Sequence, residues 1–184
     1  MMKRILIGVT GGIAAYKAAS VVSALKQAGY DVQVAMTPAA CQFVTPLTFA
    51  ALSQKEVRTE LFPAHPTSDK SQLYPHLYPA TEADLFAVLP ATADIIGKLA
   101  YGFGDDIVSA SALSLGKKCV KIFCPAMNTQ MWDNPVVREN AQTLEKRDWQ
   151  RIGPETGLMA CGTEGAGRMS EPETIVKYIA DQLG

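Results

Sequence analysis

Short, almost uninterrupted apolar runs alternate along this chain with stretches of helical spacing, and that alternation constrains the fold more than any other feature. Arg4–Val9, Asp31–Met36, Asp84–Leu89 and Cys119–Cys124 are runs of this kind. A strand covered on only one face alternates apolar and polar residues; a strand covered on both faces does not need to. Between the runs lie helical stretches. Gly12–Gly29 carries Ile13, Ala14, Ala18, Val21, Val22 and Leu25 at helical spacing, with Gly29 as a stop. Ala39–Leu52 reads as a helix bent or restarted at Pro46, Ala93–Ala100 and Asp105–Leu115 as helices around Gly102–Gly104, and Pro172–Leu183 as a closing helix. Asn134-Pro135 supplies a cap and a first-turn proline for a helix to about Lys146. Strand–helix alternation of this kind predicts an α/β fold, a doubly wound parallel sheet of Rossmann-like or flavodoxin-like type with helices on both faces. Val57 to Pro75, with Pro63, Pro66 and Pro75, reads as a long loop or flap, and Arg151–Met169 is glycine-rich without a clear period.

The 184 residues suit one domain spanning 1–184, and no repeat or linker divides them. Seventeen basic residues oppose eighteen acidic ones, so the chain has no general electrostatic grip on nucleic acid or an acidic membrane surface. The apolar start at Ile5 is broken by Thr10-Gly11-Gly12, too early for a signal peptide or membrane span, which predicts a cytoplasmic protein. Cys41, Cys119, Cys124 and Cys161 form no C-x-x-C pair, and with only His65 and His76 beside them neither a zinc site nor a disulfide framework is expected.

Ligands in such sheets bind beyond the carboxyl ends of the strands. Four loops leave those ends: Gly8-Val9-Thr10-Gly11-Gly12, Met36-Thr37-Pro38, Leu89-Pro90-Ala91-Thr92-Ala93-Asp94 and Cys124-Pro125-Ala126-Met127-Asn128. The first is not a dinucleotide fingerprint, because Thr10 stands where the second glycine belongs, and the second strand ends without an acidic residue for a ribose diol. There is no Walker lysine either. Hydroxyls at Thr10 and Thr37 suit a single terminal phosphate such as that of FMN; both residues read equally well as helix caps. His76 precedes a short helix before the third strand and reads as a surface or core histidine or as a catalyst. Asn128 could grip a carboxylate through its amide or could be a turn residue. Met131 and Trp132 read first as packing, with a pocket wall as the alternative. Cys161, in the glycine-rich segment, is a better candidate for thiol chemistry than the strand cysteines Cys119 and Cys124.

These segments resemble the flavin-dependent cysteine decarboxylases over nearly the whole chain. The resemblance is carried by Gly8-Val9-Thr10-Gly11-Gly12-Ile13-Ala14-Ala15-Tyr16-Lys17, by Pro90-Ala91-Thr92-Ala93-Asp94, by Pro125-Ala126-Met127-Asn128-Thr129-Gln130-Met131-Trp132, and by Ala160-Cys161-Gly162 through Gly165-Ala166-Gly167-Arg168-Met169. It implies FMN as cofactor, held by Gly11, Gly12, Ile13, Thr37, Thr92 and Ala93. It implies substrate binding by Asn128, Met131, Ala160 and Cys161, and catalysis by His76, Asn128 and Cys161. The implied reaction oxidises a cysteine, linked through its amine, to a thioaldehyde whose thiocarbonyl accepts the electrons released with CO₂. The resulting ene-thiol is then reduced, with Cys161 giving the proton. The implied substrate is 4'-phosphopantothenoylcysteine of coenzyme A biosynthesis. A peptide ending in cysteine, flavin prenyl transfer, phosphatase regulation and electron transfer are the competing readings. The family's site lies between subunits of a trimer, sometimes assembled into a dodecamer. One departure stands out: the family's basic residue five positions after the histidine, and the aromatic next to it, are Thr81 and Glu82 here. The bifunctional relatives carry a ligase half beyond the equivalent of Gly184, so the resemblance implies a stand-alone decarboxylase working with a separate ligase.

Overall fold

The computed structural model describes all residues except Met1, Pro63, Ala64, Pro66, Met159, Ala160, Cys161 and Thr163. Five parallel strands form the central sheet: β1 (Arg4–Val9), β2 (Asp31–Met36), β3 (Leu85–Ala91), β4 (Val120–Pro125) and β5 (Trp149–Arg151). Their spatial order is β2-β1-β3-β4-β5. This is the flavodoxin-like order, with the switch point between β1 and β3. A separate antiparallel pair, β6 (Glu155–Leu158) and β7 (Glu164–Arg168), lies outside the sheet.

The helices are α1 (Ala15–Gln27), α2 (Pro46–Ser53), α3 (Lys70–Leu73), α4 (Ala93–Tyr101), α5 (Ile107–Leu113), α6 (Thr129–Trp132), α7 (Pro135–Lys146) and α8 (Pro172–Leu183). Their ends obey local chemistry. Gly29 takes φ +88° just past α1, a conformation that glycine adopts without steric cost. Asn134 Oδ1 accepts from Val136 N at 3.0 Å at the head of α7. Asp106 caps α5 by accepting from Val108 N and Ser109 N, each at 2.9 Å, which is why that helix begins two residues later than its periodicity predicts.

Successive strand residues feed two separate cores. Ile5, Ile7, Val9, Val32, Val34, Leu85, Ala87 and Leu89 point to one side, beneath α1, α2 and α8. Leu6, Phe86, Val88 and Phe123 point to the other, with Ile95, Ile96, Val108 and Leu144 of α4, α5 and α7. Burial on both sides explains why the strands read as unbroken apolar runs. Gly8 is bare for packing: a Cβ there would lie 2.7 Å from Val108 Cγ1.

Of the two readings for Ala39–Leu52, bent or restarted at Pro46, the structure has the restart: Pro46 has no N–H to continue a ladder and instead opens α2, and only the part before it differs, a short 3-10 turn at Ala40–Gln42. Two other expectations need correction. The Val57–Pro75 segment is not wholly irregular. It contains α3, and Arg58 pairs with the outer edge of β2, donating from N to Val34 O at 2.9 Å and accepting from Met36 N at 2.8 Å. That bridge covers part of an edge strand. The stretch from Arg151 to Met169 holds the β6–β7 ribbon.

Candidate active site

A cavity of about 1470 Å³ opens at the carboxyl ends of β1, β2, β3 and β4. Thr10, Thr37, Thr92 and Ala126 each stand one residue past a strand, and all four line it. So do Gly11, Gly12, Ile13, Ala93, Asn128 and Met131. Every residue expected on the cofactor side therefore meets there, with the two described residues expected on the substrate side. Ala160 and Cys161 lie outside the described residues.

The loops are tied to one another. Thr10 Oγ1 donates to Pro90 O at 2.6 Å and accepts from Thr92 N at 3.3 Å. Its proton is spent on the neighbouring loop, so Thr10 is a structural tie rather than a phosphate donor. Thr37 Oγ1 accepts from Ala40 N at 3.2 Å, which leaves its own proton to donate. Gly11 is required by contact: a Cβ would sit 2.4 Å from Ala39 Cβ. The absence of a side chain there lets the loops after β1 and β2 touch. At the head of α1 no side chain caps the helix and no acidic residue occupies the first turn. Amide groups at such an end suit an anion. With apolar walls from Ile13, Met127, Met131 and Leu158, the cavity has the donor set and the apolar surface that a flavin nucleotide requires.

Asn128 caps α6. Its Oδ1 accepts from Gln130 N at 2.8 Å, which fixes which end of the amide is oxygen. The same loop is held from two sides: Ala126 N donates to Ala91 O at 3.1 Å and Met127 N to Gly167 O at 2.9 Å. Gly165 lets β7 lie against α6, since a Cβ there would be 2.5 Å from Thr129 Oγ1. Trp132 is core, buried beneath the guanidinium groups of Arg138 and Arg151 at 4.8 and 5.7 Å from its ring centre. Met131 is the pocket wall.

His76 is not among the residues lining the cavity. Its Nδ1 is screened from solvent and has no hydrogen-bond partner among the described residues. Cys119 and Cys124 are buried thiols; burial pushes the first up to about 11 and the second higher still, so neither is a ready thiolate.

Sequence reasoning missed the charged residues of the cavity. Lys98 pairs with Asp106 at 3.0 Å, Asp105 at 3.1 Å and Asp94 at 3.5 Å. Burial opposes its charge, but the Asp106 and Asp105 hydrogen bonds and the surrounding carboxylates outweigh burial and raise the ammonium well above its ordinary range. Lys17, Arg168 and Glu171 line the cavity as a second ionic group. Its hydrogen bonds, first among them the one from Lys17, lower the Glu171 carboxyl from its ordinary range. Only spatial juxtaposition reveals these partners; Lys17 and Glu171 are 154 residues apart.

The profile of the family described as Flavoprotein matches residues 1–184. A "Probable phosphopantothenoylcysteine decarboxylase" of Streptococcus mutans is 42% identical over 183 residues, covering 100% of both chains. The "Coenzyme A biosynthesis bifunctional protein CoaBC" of Bacillus subtilis is 45% identical over 175 residues, which are 95% of this chain but 42% of that protein. Among solved structures, a cysteine-to-serine mutant of PPC decarboxylase complexed with pantothenoylaminoethenethiol superposes with a TM-score of 0.85 at 23% identity, covering 98% of this chain and 97% of that one. At that identity the superposition speaks for the fold. Among the described residues no helix is long and apolar enough to cross a membrane.

Proposed function

The chain belongs to the flavoprotein family, and on that premise we propose that it binds FMN and decarboxylates 4'-phosphopantothenoylcysteine to 4'-phosphopantetheine in coenzyme A biosynthesis. One observation carries the reading: the loops expected to hold the flavin and the Asn128 loop expected to hold the substrate line a single cavity. The full-length likeness to the Streptococcus mutans relative supports the same substrate.

A bound flavin supplies the hydride acceptor and donor that the reaction needs at the cysteine carbon. The chain's residues do the rest. Gly11, Gly12, Ile13, Thr37, Thr92 and Ala93 hold the cofactor, with the amides at the head of α1 and the Thr37 hydroxyl facing its phosphate. Asn128 presents its Nδ2 donor end to the substrate carboxylate and orients it for loss as CO₂. Met131 and Ala160 shape the substrate side. Cys161 carries on Sγ the proton delivered in the last reduction; an ordinary thiol, at about 8.5, is mostly protonated at neutral pH.

His76 acts beside the reacting carbon, reaching the cavity from a neighbouring subunit of a trimer or a multiple of trimers. Two facts support that assembly. His76 is not among the residues that line its own chain's cavity, and its Nδ1 is shielded with no partner among the described residues. Ile13 and Tyr16, at the cavity, are each 59% exposed, an apolar margin suited to cover by a second chain.

The test is direct. The purified protein should be yellow, should release FMN on denaturation, and should evolve CO₂ from 4'-phosphopantothenoylcysteine but not from a peptide ending in cysteine. A colourless protein that refuses added FMN would sink the proposal. The loop contact at Gly11 gives a second check. Gly11→Ala should weaken FMN binding at least about tenfold by forcing the two loops apart, and adding Ala39→Gly should restore part of it. Fluorescence titration reads both. Unchanged affinity in Gly11→Ala would remove Gly11 from the cofactor site.

A further inference from the structure

The cavity is electrically lopsided. On one side Lys17 of α1 donates from Nζ to both Glu171 oxygens, each at 3.0 Å, and Arg168 at the end of β7 donates from Nη2 to the same carboxylate. Two cations share one anion, so one positive charge is left over. The Lys17 side chain is only 14% exposed, so water screens it weakly. On the other side a single ammonium, Lys98, faces Asp94, Asp105 and Asp106. Three anions around one cation leave that side negative. The two clusters hang from opposite faces of the sheet, because α1 and α8 cover one face and α4 and α5 the other. Both line the same cavity. A phosphate monoester, which carries nearly two negative charges at neutral pH, is repelled by the Lys98 side and drawn to the Lys17 side.

The Arg168 position is built as well as charged. A Cβ on Gly157 of the facing strand would lie 3.1 Å from Arg168 Nη1, so the guanidinium rests over bare backbone. Its Nε is shielded from solvent and has no partner among the described residues.

We propose that Lys17 and Arg168, held in place by Glu171, seat the phosphate monoester of a ligand bound in this cavity. The proposal rests on the function argued above, which brings two such groups into play, one on the substrate and one on FMN. The amides at the head of α1 and Thr37 give the cofactor's phosphate a place of its own, so the substrate's phosphate is the expected occupant.

Two assays separate the sources. The first measures kcat/KM for 4'-phosphopantothenoylcysteine and for pantothenoylcysteine without the phosphate. The second titrates FMN and riboflavin into the apoprotein by fluorescence, and needs no turnover. In Lys17→Met the preference for the phosphorylated substrate should fall roughly 10- to 100-fold, and Lys17→Arg should recover most of it. Lys17→Gln keeps a donor for Glu171 while losing the charge. It should match Lys17→Met, which separates charge from the structural part of the ion pair. If the loss appears instead in the preference for FMN over riboflavin, the seat belongs to the cofactor. If Lys17→Met, Lys17→Gln and Arg168→Met leave both preferences intact, the proposal is overturned. A parent protein that binds no flavin and turns over neither substrate sinks the underlying function instead.

Discussion

Asn128→Asp is expected to keep its flavin and lose turnover by about 1,000-fold or more in kcat/KM. The substitution is a sharp one because it spares the local fold. An aspartate caps a helix as well as asparagine does, so the bond from Gln130 N that opens α6 is retained. The ties from Ala126 N to Ala91 O and from Met127 N to Gly167 O are backbone bonds and do not change. The difference is electrostatic: a donor becomes a second anion beside the carboxylate it should hold, and like charges at that range disfavour binding. Thr37, Thr92 and Ala93 are untouched, so visible absorbance should match the parent. Mass spectrometry of the substrate then reads turnover. Parental rates in this variant would mean that the carboxylate is held by some other group.

Cys161→Ser is expected to uncouple the two halves of the reaction. CO₂ should still be released, while the saturated product falls by about 100-fold or more and a product lighter by two hydrogens accumulates. A serine hydroxyl is a far weaker acid than a thiol, so it supplies the final proton poorly. Mass spectrometry distinguishes the two products, and the ene-thiol has its own ultraviolet absorbance. Normal saturated product at the parental rate would remove Cys161 from the proton-delivery role. The two variants fail at different steps, which makes them jointly informative: Asn128→Asp blocks the loss of the acid group, and Cys161→Ser blocks the closing reduction.

The strong punctuation in this chain was readable, and the weak was not. α1 stops just before Gly29, α7 opens at Asn134-Pro135 and α8 at Pro172, because glycine, proline and capping residues act through local geometry. The central strands were legible because both their faces are buried. β5 was not: it is three residues long, and only Trp149 of the three is buried. β6 and β7 were not, because Gly157, Gly165 and Gly167 carry no side chains to signal a strand; pairing and contact with α6 hold them. In the cavity, Gly11, Gly12, Thr37, Thr92 and Asn128 were findable because strand order alone sends the loops after β1 to β4 to one edge. Lys17, Lys98, Arg168 and Glu171 were not, since each owes its place to partners distant in sequence. His76 marks another limit, because only the folded chain shows that it is not among the residues lining the cavity.

The β6–β7 ribbon stands apart from the main sheet and is fastened at its base, through Met127–Gly167 and the closeness of Gly165 to Thr129. Two strands alone are barely stable in water, so the ribbon depends on that joint. Among the described residues the five-stranded sheet forms no ladder with the ribbon. Exchanging ribbon residues for those of another decarboxylase while the joint is preserved is therefore expected to leave the five-stranded sheet folded, and a thermal melt of the exchanged protein checks it.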